Sequence, residues 1–122
     1  SYSTFGNPSG KWLENIRDAV HILDAENPGF EYEGEMAPDA ALSPQVMKLY
    51  PFSRLSAPAN VLVMPGLQSA NLSAKLLREL AGNAVIGPML IGMEKPVQIA
   101  PMTATAPDLL TLAVLASAGV VS

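Results

Sequence analysis

The chain has 122 residues, of which 49% are hydrophobic and 15% charged, and its formal net charge is −4 at pH 7. This length predicts one domain at most, and scattered basic residues with an acidic balance exclude a nucleic-acid interface. No apolar run approaches the roughly 20 residues of a membrane-spanning helix. The absence of cysteine excludes disulfides and thiolate metal sites, and the cytoplasm is the default compartment. So apolar a small chain is expected to be a fragment of a longer one that buries a face in a partner.

The first predicted helix follows the end of a strand at residues 1–5. Asn7 or Ser9 is expected to cap it, and residues 27–29 (Asn-Pro-Gly) end it. Apolar residues recur from Lys11 at spacings of three and four, as in an amphipathic helix: Trp12, Leu13, Ile16, Val20 and Leu23. The only histidine, His21, falls on the polar side and is expected to be solvated. With no cysteine and no second histidine, nucleophilic triads and histidine-based metal sites are excluded.

Residues 30–36 alternate aromatic and charged residues and predict a strand. This alternation places Glu31, Glu33 and Glu35 on one face. Such a set could hold a hard cation. A solvated face or a sheet edge protected by charge is the favoured interpretation.

A second helix is predicted between Pro38 and Tyr50, with a break or a new first turn at Pro44. Asn60–Met64 is a compact apolar run that predicts a buried strand. The third helix is expected to begin at a cap formed by Ser69 or Asn71 and to end at residues 82–83 (Gly-Asn). Its expected core stripe consists of leucines: Leu72, Leu76, Leu77 and Leu80.

Short strands are predicted around Val85 and at Val97–Ala100, and the last helix begins near Pro107. That helix is apolar nearly all round from Leu109 onwards, which favours burial at a subunit interface or against a missing domain over burial in its own small core. Asp108, in its first turn, is either a helix-start residue or a general base beside a ligand loop. The alternation of strands and helices predicts an α/β fold with a mainly parallel sheet.

Several motifs occur in the order and spacing of the phosphate acetyl/butyryl transferase family, which the whole chain resembles. They are Ser1-Tyr-Ser-Thr4, Gly34-Glu35 with Asp39-Ala-Ala41, Ala59-Asn60-Val61 leading to Pro65, Asn71 with Lys75, Gly87-Pro88 with Gly92, and Lys95-Pro96. Three segments are most similar to the phosphotransacetylase-like domain at the C-terminus of bacterial NADP-dependent malic enzymes: Tyr50–Asn60, Val85–Gly92 and Lys95–Ile99. Residues 1–122 would then be the C-terminal part of such a domain.

The resemblance implies a three-layer α/β/α fold with a mainly parallel sheet, the C-terminal portion of an isocitrate/isopropylmalate dehydrogenase-like fold. It also implies a dimer with acetyl-CoA bound near the interface. In active members of the family an aspartate takes the proton of the CoA thiol, and arginines hold the phosphate. Asp108 aligns with that aspartate, but Pro101-Met102-Thr103 stands where active transferases carry Ser-Arg-Gly. A methionine cannot replace a charged bidentate donor, so Asp108 is expected to be vestigial.

The favoured hypothesis is an acetyl-CoA-binding regulatory and oligomerisation domain of an NADP-dependent malic enzyme. Its NADP, divalent metal and malate would belong to absent N-terminal domains, with no cofactor in this segment. The expected ligand-binding residues are Asn71, Lys75, Lys95, Thr103 and Thr105, with no metal site. A homo-oligomer is expected through the apolar C-terminal helix, with neither nucleic acid nor a membrane as partner. The alternatives are an active phosphate acetyltransferase and a domain that only assembles subunits.

Overall fold

A computed structural model describes residues 1, 3–6, 10–81 and 85–118. Within them the chain forms five helices, which are α1 (Lys11–Glu26), α2 (Pro38–Leu42), α3 (Pro44–Met47), α4 (Leu67–Leu80) and α5 (Ala106–Ser117). The only β pairing among these residues is one antiparallel bridge between Met89 and Gln98. The chain divides into two compact units, Ser1–Ala74 and Lys75–Ser122, so the boundary falls inside α4.

Helix α1 confirms the prediction from apolar spacing. Leu13 on its inner side is buried, and Asn27 ends the helix in a left-handed conformation while its N–H donates to the Leu23 carbonyl. The N-terminal cap differs from the prediction, because Gly10 occupies that position without a side-chain hydrogen bond. Asn7 and Ser9, the two predicted caps, lie outside the described residues.

The predicted strand at residues 30–36 is wrong, and its glutamates do not form one solvated face, because Glu31 and Glu33 bind the 53–56 loop whereas Glu35 is buried. Glu31 Oε2 accepts hydrogen bonds from the N–H and hydroxyl of Ser56 at 2.8 and 2.9 Å, and Glu33 Oε2 accepts the Arg54 N–H at 2.9 Å. The two carboxylates thus accept hydrogen bonds from main-chain N–H groups of the 53–56 loop. No cluster that could hold a metal ion occurs among the described residues.

Glu35 is the buried member of this segment, with 2% of its surface exposed. Its Oε1 accepts hydrogen bonds from the Gly6 N–H at 3.0 Å and from Arg17 Nη2 at 2.9 Å. The Phe5 N–H also donates to the Glu35 carbonyl at 3.2 Å. Glu35 therefore holds the N-terminal segment against α1, and Arg17 compensates the cost of burying its charge.

The core of the first unit lies around α2 and consists of Met36, Ala40 and Ala41. The partly buried hydrophobic residues packed against it are Phe5, Val46, Tyr50, Leu55 and Ala59. The predicted break at Pro44 is confirmed, because α2 ends at Leu42 and Ser43 caps α3 by accepting the Val46 N–H at 3.4 Å. Pro38 and Pro44 thus mark the starts of the two short helices beside the core.

The predicted parallel sheet does not form within the described residues. Asn60–Met64 forms no regular secondary structure and is largely exposed, with 72% of Val61 and 88% of Val63 accessible. The strands expected around Val85 and at Val97–Ala100 are reduced to the single bridge. A parallel strand needs neighbouring strands at its sides and helices on its faces, and these residues do not supply them.

The two apolar helices are also less buried than predicted. Helix α4 begins at Leu67, so neither Ser69 nor Asn71 is its N-cap as predicted. Both residues lie inside the helix, and the Ser69 hydroxyl donates to the Gly66 carbonyl at 2.8 Å. The predicted leucine stripe of α4 is exposed along its length, and the predicted C-cap at residues 82–83 lies outside the described residues. In α5 only Leu112 is buried. Both helices present apolar surface for which the described residues offer no cover.

Candidate functional site

The loop before α5 is a tight turn that projects a methionine into solvent. The Ala104 N–H donates to the Pro101 carbonyl at 2.9 Å, which closes the turn over residues 101–104. Met102, at its tip, is fully exposed. This is the position at which the family resemblance places a phosphate-holding arginine, so the turn offers no charged donor there.

Thr105 and Asp108 form a capping box at the start of α5. The Thr105 hydroxyl and N–H both donate to Asp108 Oδ2, at 2.7 and 2.8 Å, and the Thr105 hydroxyl oxygen accepts the Asp108 N–H at 3.4 Å. The pair satisfies main-chain N–H groups that the first turn of a helix leaves without partners. Asp108 is therefore engaged in local structure.

Hydrogen bonding also makes Asp108 a weaker base. The Thr105 hydroxyl, then the Thr105 N–H, and last the charge of Arg78 lower the pKa of the Asp108 carboxyl below its ordinary value of 3.8. A general base works best when its pKa lies near the operating pH, and this shift moves Asp108 further from it. Both the geometry and the charge environment favour a stabilising role over proton abstraction.

Arg78 is a cation near this loop that sequence reasoning missed. Its Nη2 donates to the Gly87 carbonyl at 2.8 Å, and its charge reaches Asp108. Arg78 follows Lys75 by three residues, so the two side chains leave the same side of α4. The three-residue spacing from Lys75 could have indicated Arg78 from the sequence.

The remaining predicted ligand residues are exposed. Asn71 lies on the part of α4 in the first unit, whereas Lys75, Lys95 and Thr103 belong to the second. Within the predicted set, the hydrogen bonds of the described residues join only Thr105 with Asp108. His21 is solvated as predicted, 3.7 Å from Asp24. The capping box is thus the organised part of the candidate site.

We expect Thr105→Ala to destabilise α5 by about 1 kcal/mol, the usual cost of losing a threonine N-cap. Thr105→Ser keeps the hydroxyl and should retain most of the stability. Because the pKa of Asp108 is lowered in the fold, its contribution is present above pH 3.8 and is lost as the pH falls through the folded value. Thermal denaturation at pH 7 and pH 3 measures both effects, and equal losses for the two variants would contradict the capping role.

Comparisons with known proteins match the chain to one family. The model of the family described as "Phosphate acetyl/butaryl transferase" matches residues 1–117. The chain belongs to this family. It is 56% identical over 117 residues to the NADP-dependent malic enzyme of Rhizobium meliloti, covering 96% of this chain and 15% of that enzyme. It is 34% identical over 119 residues to the phosphate acetyltransferase of Bacillus subtilis, covering 97% of this chain and 37% of the relative.

Among solved structures, the EutD phosphotransacetylase of Staphylococcus aureus resembles this transferase-family chain with a TM-score of 0.79 and 29% identity. The match covers 97% of this chain and 37% of that protein. The chain therefore has the fold of a corresponding part of a phosphotransacetylase and spans well under half the length of the relatives it matches. Among the described residues, no helix is long and apolar enough to cross a membrane.

Proposed function

We propose that the chain is the C-terminal part of a phosphotransacetylase-like domain of a cytoplasmic NADP-dependent malic enzyme, and that this domain binds acetyl-CoA and regulates the enzyme. The observation that carries the proposal is the loop at residues 101–103. It belongs to a transferase-family chain and yet presents fully exposed Met102 in place of an anion-holding group.

The degree of similarity supports the malic-enzyme branch. Identity is 56% to the Rhizobium malic enzyme and 47% to the probable malic enzyme of Rickettsia prowazekii, against 34% to the Bacillus transferase. In the complete domain, the extended segments of this chain would join a mainly parallel sheet within three layers. Oxidation and decarboxylation of malate, with NADP and a divalent metal, would be the work of other parts of the enzyme.

The proposed ligand contacts are electrostatic. Lys75, Lys95 and Arg78 are cationic groups of the second unit, and Asn71, Thr103 and Thr105 add uncharged polar groups. The phosphates of acetyl-CoA are the natural partners of such cations. Assembly into at least a dimer would cover the exposed apolar residues of α5, among them Leu109, Leu110 and Val114.

The test is the malate-dependent formation of NADPH by the full-length protein, measured with and without acetyl-CoA. We expect acetyl-CoA to change the activity or its malate dependence. We expect Lys95→Ala to raise the acetyl-CoA concentration for half effect about tenfold, which corresponds to about 1.4 kcal/mol. Lys11→Ala, which removes an exposed lysine outside the proposed set, is the matched control. A complete lack of response to acetyl-CoA would refute the regulatory function.

An active transferase is the second candidate, because the capping aspartate and a nearby arginine are both present. In that case Arg78 would have to bind the phosphate that residue 102 cannot hold. Arg78 already donates to the Gly87 carbonyl, which competes with phosphate binding. The lowered pKa of Asp108 makes this carboxylate a weaker base. The regulatory function is therefore favoured.

A further inference from the structure

A cavity of about 320 Å³ is lined by α3 and by the loop that follows it, at residues 48–58 of the first unit. Most of its lining is apolar and includes three prolines: Pro44, Met47, Pro51, Leu55, Ala57 and Pro58. An engineered cavity of about 150 Å³ is large enough to bind benzene. This cavity therefore has room for a small organic molecule. None of the residues assigned above to acetyl-CoA lines it.

Hydrogen bonds from neighbouring carboxylates hold the loop wall of this cavity in place. Glu33 Oε2 accepts the Arg54 N–H at 2.9 Å, and the Arg54 side chain pairs with Asp24. Glu31 Oε2 accepts both the N–H and the hydroxyl of Ser56, at 2.8 and 2.9 Å. A wall that is already ordered loses little conformational freedom when a ligand binds, which favours affinity.

Three hydrogen-bond donors on the cavity lining have no acceptor among the described residues. They are the Lys48 ammonium, the Tyr50 hydroxyl and the Ser53 hydroxyl, whose oxygen accepts a main-chain N–H at 3.3 Å. Ser56, the other polar residue of the described lining, is already bound to Glu31. Lys48 is the only charged residue among the described ones that line the cavity. Free donors around one unpaired cation are complementary to an anion.

We propose that this cavity binds a small carboxylate with a short apolar body of about four to eight carbon atoms, a size comparable to benzene. The carboxylate accepts hydrogen bonds from Lys48 and from the hydroxyl of Ser53 or Tyr50. The apolar body packs against the prolines and Leu55. The site is separate from the one proposed for acetyl-CoA and adds a second ligand to the domain.

The lining favours a carboxylate over a phosphate. A phosphate group carries about two negative charges at pH 7 and is best held by several cationic donors or by a bidentate arginine. Here one lysine stands among prolines and neutral hydroxyls. One positive charge matches one carboxylate, and the apolar lining matches a hydrocarbon body that a free phosphate does not have.

Methyl NMR of the full-length protein, labelled with carbon-13 at its methionine methyl groups, tests the proposal. Met47 lines the cavity, whereas Met36 lies in the core and Met102 lies at the exposed turn. The probe is isovalerate, a carboxylate with a branched apolar body. We expect it to shift the Met47 methyl saturably, with half-saturation at about 1 mM, and to leave the Met36 and Met102 methyls unmoved.

Two other probes separate charge from shape. Isovaleramide has the same body without the charge, and inorganic phosphate has charge without the body. Each should need at least about tenfold more than isovalerate to shift the Met47 methyl equally. Equal binding of the amide, or tighter binding of phosphate, would overturn the carboxylate assignment. Acetyl-CoA is absent from these samples, so failure of the regulatory function would leave the outcome unchanged.

Substitution of Lys48 gives the second test. We expect Lys48→Met, which keeps an apolar stem, to raise the half-saturation concentration of isovalerate at least about tenfold, and Lys48→Arg to restore most of the affinity. Lys11→Met removes an exposed lysine that does not line the cavity and should change nothing. An unshifted Met47 methyl at saturating isovalerate, equal shifts of Met36 and Met102, or unchanged binding by Lys48→Met would each overturn the proposal.

Discussion

Replacing Arg17 by methionine is expected to lower the free energy of unfolding of the domain that contains it by about 3 kcal/mol. Arg17 donates to Glu35 Oε1, and Glu35 is 2% exposed. Removing one partner of a buried ion pair costs about 3–5 kcal/mol because the other charge stays buried. Since 40% of the Arg17 side chain is exposed, we place the effect at the lower end of that range. Denaturation of the full-length protein, followed at the transition of this domain, measures it.

Arg54→Met is the matched control. Arg54 also pairs with a carboxylate, that of Asp24, but both side chains are more than a third exposed. Water and salt screen such a pair, so its loss should be much smaller and should shrink further at high salt. Equal losses for the two variants would contradict the role assigned to Glu35. The Arg17 effect should also persist at high salt, because the carboxylate that it neutralises is buried.

We expect the full-length protein to transfer acetyl groups between acetyl phosphate and CoA at least about a thousandfold more slowly than the Bacillus subtilis relative. Losing a buried, charge-assisted contact costs about 2–5 kcal/mol, and about 4 kcal/mol corresponds to a thousandfold in rate. Met102 cannot make that contact, and the Asp108 carboxylate is engaged in the capping box and has a lowered pKa. CoA-dependent phosphate release from acetyl phosphate measures the rate.

The control for this prediction is the reciprocal exchange. In an active transferase, methionine at the position aligned with Met102 should cause a loss of similar size. In this protein, Pro101→Ser, Met102→Arg and Thr103→Gly together restore the family loop and should raise the rate if that loop is the main deficit. Turnover of the unmodified protein within tenfold of the Bacillus relative would show that Arg78 or another donor replaces the missing arginine.

The helices could be predicted because their causes are local. The apolar spacing of α1, the proline at the start of α3 and the proline near the start of α5 all act within a few residues, and each prediction is confirmed. The sheet could not be tested in the same way, because strand pairing depends on distant residues. Val61–Met64 has the sequence of a buried strand, yet the partners that would bury it are not among the described residues.

The glutamates show why alternation alone misled the prediction at residues 30–36. Period-two spacing predicts a strand if the alternate side chains form one solvated face, and here the carboxylates instead bind the 53–56 loop and Gly6. The alternation does not distinguish Glu35, the buried one, from Glu31 and Glu33; only the family motif Gly34-Glu35 singles it out. The capping role of Asp108 was easier to predict from the sequence, since Thr-x-x-Asp before an apolar run is a close variant of the capping box.

The capping box has a consequence for how sequences of this family are compared. Because Asp108 supports the start of α5, mutation of this residue is costly whether or not the protein transfers acetyl groups. Selection for folding alone would be enough to retain it in a member of the family without transferase activity. The aspartate therefore cannot serve as a marker when new genomes are sorted into active and inactive members. The residue at position 102 has an exposed side chain and no such structural duty, so we expect it to separate the two groups better.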